Sequence, residues 1–411
     1  MYDLIVMWEW IGFLLRWVHV ITAIAWIGSS FYFIALDLSL NRNIKGLADG
    51  EEWQVHGGGF YHIQKYMVAP SEMPEHLTWF KWESYFTWLS GFAVLVVVYW
   101  FGADLYLVDP QVSNISSTMA IFISGGSLVI CWLIYDFLCR SKLKNSPTAL
   151  MLVLYLLLVG LALFFSNFLS GKAALLHLGA VTATIMTANV FLVIMPNQRV
   201  VVADLKLGKV PDSKYGSIAK IRSTHNNYLT LPVIFLMLSA HYPLAFGTHY
   251  NWMIASIIFI IGVLIRHYFN SKHARKRLPN WTWGLSAILF IIIMWLSTEP
   301  FISNVENTSL GDQNSSLDTK FARASGFNEV KDIVSARCTV CHAAEPAWEG
   351  LHWPPKGVVF ETSEDIQLNA KFIFLHSGLS KSMPPGNLSG ITENEREIIR
   401  KWYRSAKKLG S

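Results

Sequence analysis

Eight long apolar stretches, each at roughly 20 residues enough to cross a bilayer, constrain this chain more than any other feature. They run over residues 11–36, 83–101, 118–138, 148–166, 174–195, 228–246, 252–270 and 281–297. Hydrophobic residues make up 53% of the 411 and charged residues 15%, against about 25% charged in an ordinary soluble domain. A wholly soluble enzyme is thereby excluded. The first ten residues carry Asp3 and Glu9 and no Lys or Arg, so they lack the positive start of a secretory signal.

The loops between the stretches carry an alternating load of Lys and Arg: 4, 0, 3, 1, 6, 0 and 4 in chain order. Basic loops stay in the cytoplasm. The pattern predicts a multi-pass protein of a bacterial inner membrane, embedded in lipid, with both termini outside the cytoplasm. The net charge of +5 is this loop bias and gives no reason to expect nucleic acid as a partner. Residues 298–411 hold 13 basic against 14 acidic residues and read as a water-soluble tail. Its first part, 298–317, is rich in Asn, Ser, Gly and Asp and reads as a linker.

In the tail, Cys338-Thr339-Val340-Cys341-His342 is a C-x-x-C-H sequence, the attachment signature of a c-type haem. Two thiols three positions apart reach the two vinyl groups, and the adjacent imidazole presents a nitrogen to the iron. Zinc would need two more ligands at similar spacing, and the tail has no second Cys pair. A thioredoxin-like site would need a βαβ setting. A helical pattern over Phe321–Val334 leads into the motif, and Met383-Pro384-Pro385 follows about forty residues later. His342 and Met383 are therefore the expected iron ligands, a pairing that raises the potential and suits electron transfer. His352 and His376 are the alternatives to Met383, and Trp402 and Tyr403 are expected to pack against the haem. A capping box at Thr392-x-x-Glu395 opens a last helix over Arg396–Lys407. Bacteria attach this haem outside the cytoplasm, in agreement with the loop charges. The other cysteines, Cys131 and Cys139, lie in an apolar run and read as buried thiols. The expected fold class is all-α: an eight-helix transmembrane bundle over 1–297, then a class-I-like cytochrome c domain over 318–411.

Polar side chains at membrane depth need a reason. His19, in Arg16-Trp17-Val18-His19, and His177 sit on separate spans toward the outer side. Together they could ligate a non-covalent b-type haem, or each could simply bond a carbonyl. A second set lies toward the cytoplasm: His56-Gly57-Gly58-Gly59, Tyr61-His62, His76, Glu83, Asn189, Asn197-Gln198-Arg199, Arg222, His225-Asn226-Asn227 and Arg266-His267. Carboxamides, Arg and aromatics suit a planar anion with many donors and acceptors, although some must be helix caps or interfacial anchors. The glycine run lacks the Lys-Ser/Thr of a phosphate loop.

The segments Arg16–Gly28 (RWVHVITAIAWIG), Val55–Tyr66 (VHGGGFYHIQKY), Leu77–Gly91 (LTWFKWESYFTWLSG), Ala188–Arg199 (ANVFLVIMPNQR) and Arg222–Tyr242 (RSTHNNYLTLPVIFLMLSAHY), with CTVCH and MPPGN in the tail, resemble the membrane-bound urate oxidases that carry a C-terminal cytochrome c domain. The resemblance covers essentially the whole chain. It implies oxidation of urate to 5-hydroxyisourate, with electrons leaving through the haem to a respiratory acceptor such as a terminal oxidase or a soluble cytochrome c. It brings no catalytic residues with it. Within the cytoplasmic set, Asn189, Asn197, Gln198, Arg199, Arg222, Asn226 and Asn227 are the candidates to bind urate, with His225 or His76 as base and Glu83 as the alternative base. That placement sets the substrate about one hydrocarbon thickness, roughly 30 Å, from the covalent haem. Either a cofactor at His19 and His177 bridges the gap, or urate binds near the outer face. The competing functions are a membrane dehydrogenase subunit or an electron carrier serving another donor. The sequence does not fix the oligomeric state.

Overall fold

A computed structural model describes residues 4–46, 48–67, 74–109, 112–302, 319–348, 351, 354–355 and 358–409. Helix α1 spans Leu4–Ser39, and a two-stranded antiparallel hairpin follows, β1 over Ala48–His56 and β2 over Gly59–Tyr66. Next come α2 over Trp82–Val94, α3 over Ala103–Tyr106, α4 over Ser117–Arg140 and α5 over Pro147–Phe168. Helices α6, Gly171–Ala188, and α7, Met195–Lys206, are joined without a break by a π-helical turn at Asn189–Ile194. Then follow α8 over Ser213–Ser239, α9 over Pro243–Phe246, α10 over Asn251–His273 and α11 over Trp281–Ile302.

Among the described residues, five helical stretches are long and apolar enough to cross a membrane: Trp10–Ser39, Ser117–Arg140, Pro147–Phe168, Gly171–Lys206 and Asn251–His273, with Trp281–Ser297 a shorter apolar helix. The protein is thus mostly helical and suited to a membrane. Two expected stretches look different. Residues 83–101 become α2 running into a π-helical turn at Leu95–Trp100. The stretch expected at 228–246 is the second half of α8, which begins fifteen residues earlier and stops at Ser239 before α9.

The bundle centres on α6, which packs against α4, α5 and α8 and buries Leu175, His177, Leu178, Val181, Thr182 and Ile185 almost completely. Lipid offers no hydrophobic drive between helices, so close approach over small residues does the packing. At Gly91 a β-carbon would lie 2.7 Å from the His19 ring, and at Gly262 one would lie 2.5 Å from the Pro232 ring. These contacts seat α1 on α2 and α10 on α8.

The hairpin departs from the all-α expectation. Gly57 (φ +59) and Gly58 (φ +80) form its two-residue turn, where only residues tolerant of positive φ serve well. His56, Tyr61 and His62 therefore lie on an exposed ribbon, with His62 stacked on Trp53 at 4.2 Å and bonded to Glu51 at 2.7 Å.

The tail folds around its own core of Val330, Val334, Ile366, Ile373, Ile399 and Trp402. Its helices are α12 over Thr319–Arg323, α13 over Phe327–Arg337, α14 over Thr339–His342, α15 over Ser363–Leu368, α16 over Ala370–Ile373 and α17 over Glu393–Lys408. The expected helix over 321–334 is split at Gly326, which adopts φ +88. The expected capping box is present: Thr392 Oγ1 accepts from the Glu395 N–H at 3.2 Å, and Glu395 accepts from the Thr392 N–H at 2.6 Å. Trp402 donates to the Phe321 carbonyl, and Tyr403 stacks on Phe374 at 4.1 Å. Both rings thus belong to the tail's core. Most of the expected linker, 303–317, lies outside the described residues, as does His352.

Candidate functional site

α13 ends where Cys338 begins the short helix α14, so the C-x-x-C-H residues occupy one tight turn. Burial pushes the Cys338 thiol up to about 12, and burial also raises Cys341; both are neutral thiols near pH 7. His342 Nδ1 donates to the Val358 carbonyl at 2.8 Å. A carbonyl can only accept, so the proton sits on Nδ1 and Nε2 keeps its lone pair for a metal, with the ring angle already fixed. Opposite lies the Met383 loop. The Met383 N–H donates to the His376 carbonyl at 2.9 Å. Arg396, 1% exposed, reaches from α17 to the carbonyls of Ser377 (2.7 Å) and Met383 (3.0 Å). The loop is thereby tied to the capped helix behind it.

Cys338, Cys341, His342 and Met383 all line one cavity of about 1480 Å³. Its other wall comes from the membrane bundle and includes Trp8, Arg16, Phe101 and Trp252. The tail is therefore docked with its C-x-x-C-H face toward the bundle. Gly386 (φ +54) sits against α3, where a β-carbon would lie 2.6 Å from the Val108 carbonyl oxygen.

The second constellation is buried in the bundle, away from that cavity. Asn189 is fully buried; its Nδ2 donates to Tyr135 Oη (3.0 Å) and Asn226 Oδ1 (2.9 Å), and its Oδ1 accepts from Arg222 (3.2 Å). Tyr135 Oη is 2.8 Å from His225 Nδ1, and its own hydrogen is free to go there. Arg222 pairs with Asp136 at 2.6 Å and lies over the Tyr135 ring. Asn226 Nδ2 donates to the Met186 carbonyl, while Asn227 Oδ1 accepts from Arg266 and Asn270. Four of the residues singled out from sequence, Asn189, Arg222, His225 and Asn226, thus come together, while Asn227 joins Arg266 and Asn270 instead. These four and Tyr135 largely satisfy one another, as a structural polar network in a bundle must, whereas Asn227 Nδ2 is buried with no partner among the described residues.

The remaining candidates do not join this network. Gln198 and Arg199 are exposed on α7, Asn197 is half-buried, and His76 is exposed before α2. Glu83 is half-buried, with one carboxylate oxygen buried and no hydrogen-bond partner for it among the described residues. His177 Nδ1 bonds the Ala173 carbonyl at 2.8 Å and Nε2 bonds Ser124 Oγ at 2.6 Å. Both nitrogens are occupied, so the residues do not fit a b-type haem. His19 Nδ1 bonds the Thr87 carbonyl at 2.9 Å. Of the thiols, Cys131 is buried and Cys139 half-buried.

Sequence reading missed Tyr135 and Asp136, which complete the buried network. The signal was a carboxylate at the end of an apolar run, with a buried Arg222 on another helix needing a counter-charge. It also missed Arg396, which it places only as the first residue of the last helix.

Residues 5–297 match the family model described as urate oxidase N-terminal. The comparisons with curated proteins and with solved structures found no match. The matched region takes in nearly all of the helical bundle, including the buried polar network and the bundle's wall of the cavity, and the chain belongs to the urate oxidase N-terminal family.

Proposed function

We propose that this chain oxidises urate to 5-hydroxyisourate as an eight-span protein of a bacterial inner membrane, with the tail outside the cytoplasm. Urate and water give 5-hydroxyisourate, two protons and two electrons. The new C–O bond takes its oxygen from water, and the electrons leave in turn for a respiratory acceptor such as a terminal oxidase or a soluble cytochrome c. A covalent c-type haem would supply the one-electron relay, at a potential raised by His/Met ligation. Cys338 and Cys341 would carry it, and His342 and Met383 would be its ligands.

The observation that carries this reading is the shared cavity. The family match covers the bundle, and the cavity joins that bundle directly to the four tail residues. The donor set fits the group, with two free thiols, an imidazole whose Nδ1 is already committed to Val358, and a thioether facing the same space. Within this scheme the chain orients the imidazole through Val358 and holds the Met383 loop through Arg396.

The test is a redox spectrum of oxidised membranes without oxygen, before and after urate is added. Growth of the reduced c-haem band as urate disappears is expected. A band that responds to dithionite but never to urate would leave an electron-carrying subunit serving another donor.

A further inference from the structure

The cavity between tail and bundle is larger than the roughly 300–1,000 Å³ of an ordinary small-molecule site, at about 1480 Å³. On its tail wall are Cys341, His342 and Met383; on its bundle wall are Arg16, Trp8 and Phe101. Trp8 and Phe101 meet edge to face at 5.1 Å. Arg16 is exposed, lies one turn from Gly12 on α1, and has no hydrogen bond or ion pair among the described residues. An arginine within an apolar helix marks a pathway or a binding site by default, because an unpaired charge there is costly. Its fork of donors suits a planar anion, and aromatic faces suit a flat ring.

Resting on the function proposed above, we infer that the substrate anion binds in this cavity, on the Arg16 guanidinium and against the Trp8 and Phe101 rings. The buried network around Asn189 is then structural. This placement also removes the distance problem of a site at the far end of the bundle. Donor and haem share one cavity, and no second cofactor is needed. An organic anion at Arg16 has two possible sources, the substrate or a propionate of the haem itself. The favoured source is the substrate, because the cavity extends past the tail's pocket into the bundle.

The experiment uses holoenzyme whose haem has been reduced with dithionite, so that urate can bind without turning over. Binding of urate by equilibrium dialysis is compared for the wild type, Arg16→Gln and Arg16→Lys, alongside the haem midpoint potential. Loss of a charge-assisted fork should weaken urate binding by about tenfold or more in Arg16→Gln, less in Arg16→Lys, with the potential unchanged. Equal binding with a shifted potential would assign Arg16 to a propionate and overturn the inference. Equal binding with an unchanged potential would make Arg16 structural and overturn it too. Should the Arg16 variants fail to accumulate, Phe101→Ala, at a 73% exposed position, tests the same wall and should also weaken urate. A wild type that neither binds urate nor is reduced by it would instead sink the proposed function.

Discussion

Gly247 of the bundle and Ser380 of the tail are in contact so close that a β-carbon on Gly247 would lie 2.7 Å from Ser380 Cα and 2.9 Å from the Lys381 nitrogen. Neither neighbour is a flexible side-chain end, so Gly247→Ala must push the tail away from the bundle. A misplacement near 1 Å can cost up to about 100-fold in a positioned reaction. For this variant we expect urate-driven c-haem reduction to slow about tenfold while the dithionite-reduced spectrum stays the same. Stopped-flow spectroscopy checks this; an unaltered rate would mean that this docked arrangement is not the one used in turnover.

The mostly helical, apolar character of the chain was legible in the sequence, because apolar length is a local signal. What escaped depends on contacts between distant segments. The pairing of Asp136 with Arg222 joins α4 to α8, and no local pattern links them. The hairpin was written in His56-Gly57-Gly58-Gly59, but its glycines sit among aromatics and histidines that suggest a ligand site instead. His225 looked like a base because of its carboxamide neighbours, yet those carboxamides bond other backbone and side-chain groups. The cavity was beyond reach altogether. It exists only because the tail folds back onto α3 and α9, and sequence spacing carries no information about docking.

Asn189 ties Tyr135, Arg222 and Asn226 together through one carboxamide. Asn189→Leu keeps the approximate volume and strands polar groups at a position of zero exposure. Each stranded group costs about 1–3 kcal/mol. The expected outcome is a lower Tm in detergent with an unchanged KM for urate in the folded fraction. A KM that rises without loss of Tm would return the substrate to this network.

Glu395 sets an acid limit for the tail. Burial raises its carboxyl, but the Thr392 N–H and hydroxyl and the Arg337 guanidinium outweigh this and hold it below its ordinary value of 4.5. A carboxylate whose folded-state pKa is depressed stabilises the fold fully above its unfolded value, and that stability is lost as pH falls through the folded value. The wild-type tail should therefore lose stability as the pH drops below 4.5, whereas Glu395→Gln should be less stable at neutral pH and show a flatter dependence in that acid range. Denaturant titrations of the holoenzyme at several pH values, followed at the haem, give both slopes.

Arg396 holds the Met383 loop from behind. It is fully enclosed, and its Nη1 lies 2.7 Å from the Ser377 carbonyl and 3.0 Å from that of Met383. A planar guanidinium can serve carbonyls on two segments at once, whereas an ammonium on a flexible stem cannot keep both in the same geometry. Arg396→Lys retains the charge and loses this reach, at about 1.5–3 kcal/mol for each charge-assisted bond given up. The Met383 loop then loses its brace from α17. Under the proposed function Met383 would be the ligand that raises the haem potential, so the midpoint should fall, and urate-driven reduction should slow with it. His342, oriented by Val358 on the opposite side, is untouched, so the haem should remain attached and dithionite-reducible. Potentiometric titration of the variant against the wild type decides the matter; an unchanged midpoint would mean that the loop holds Met383 without Arg396.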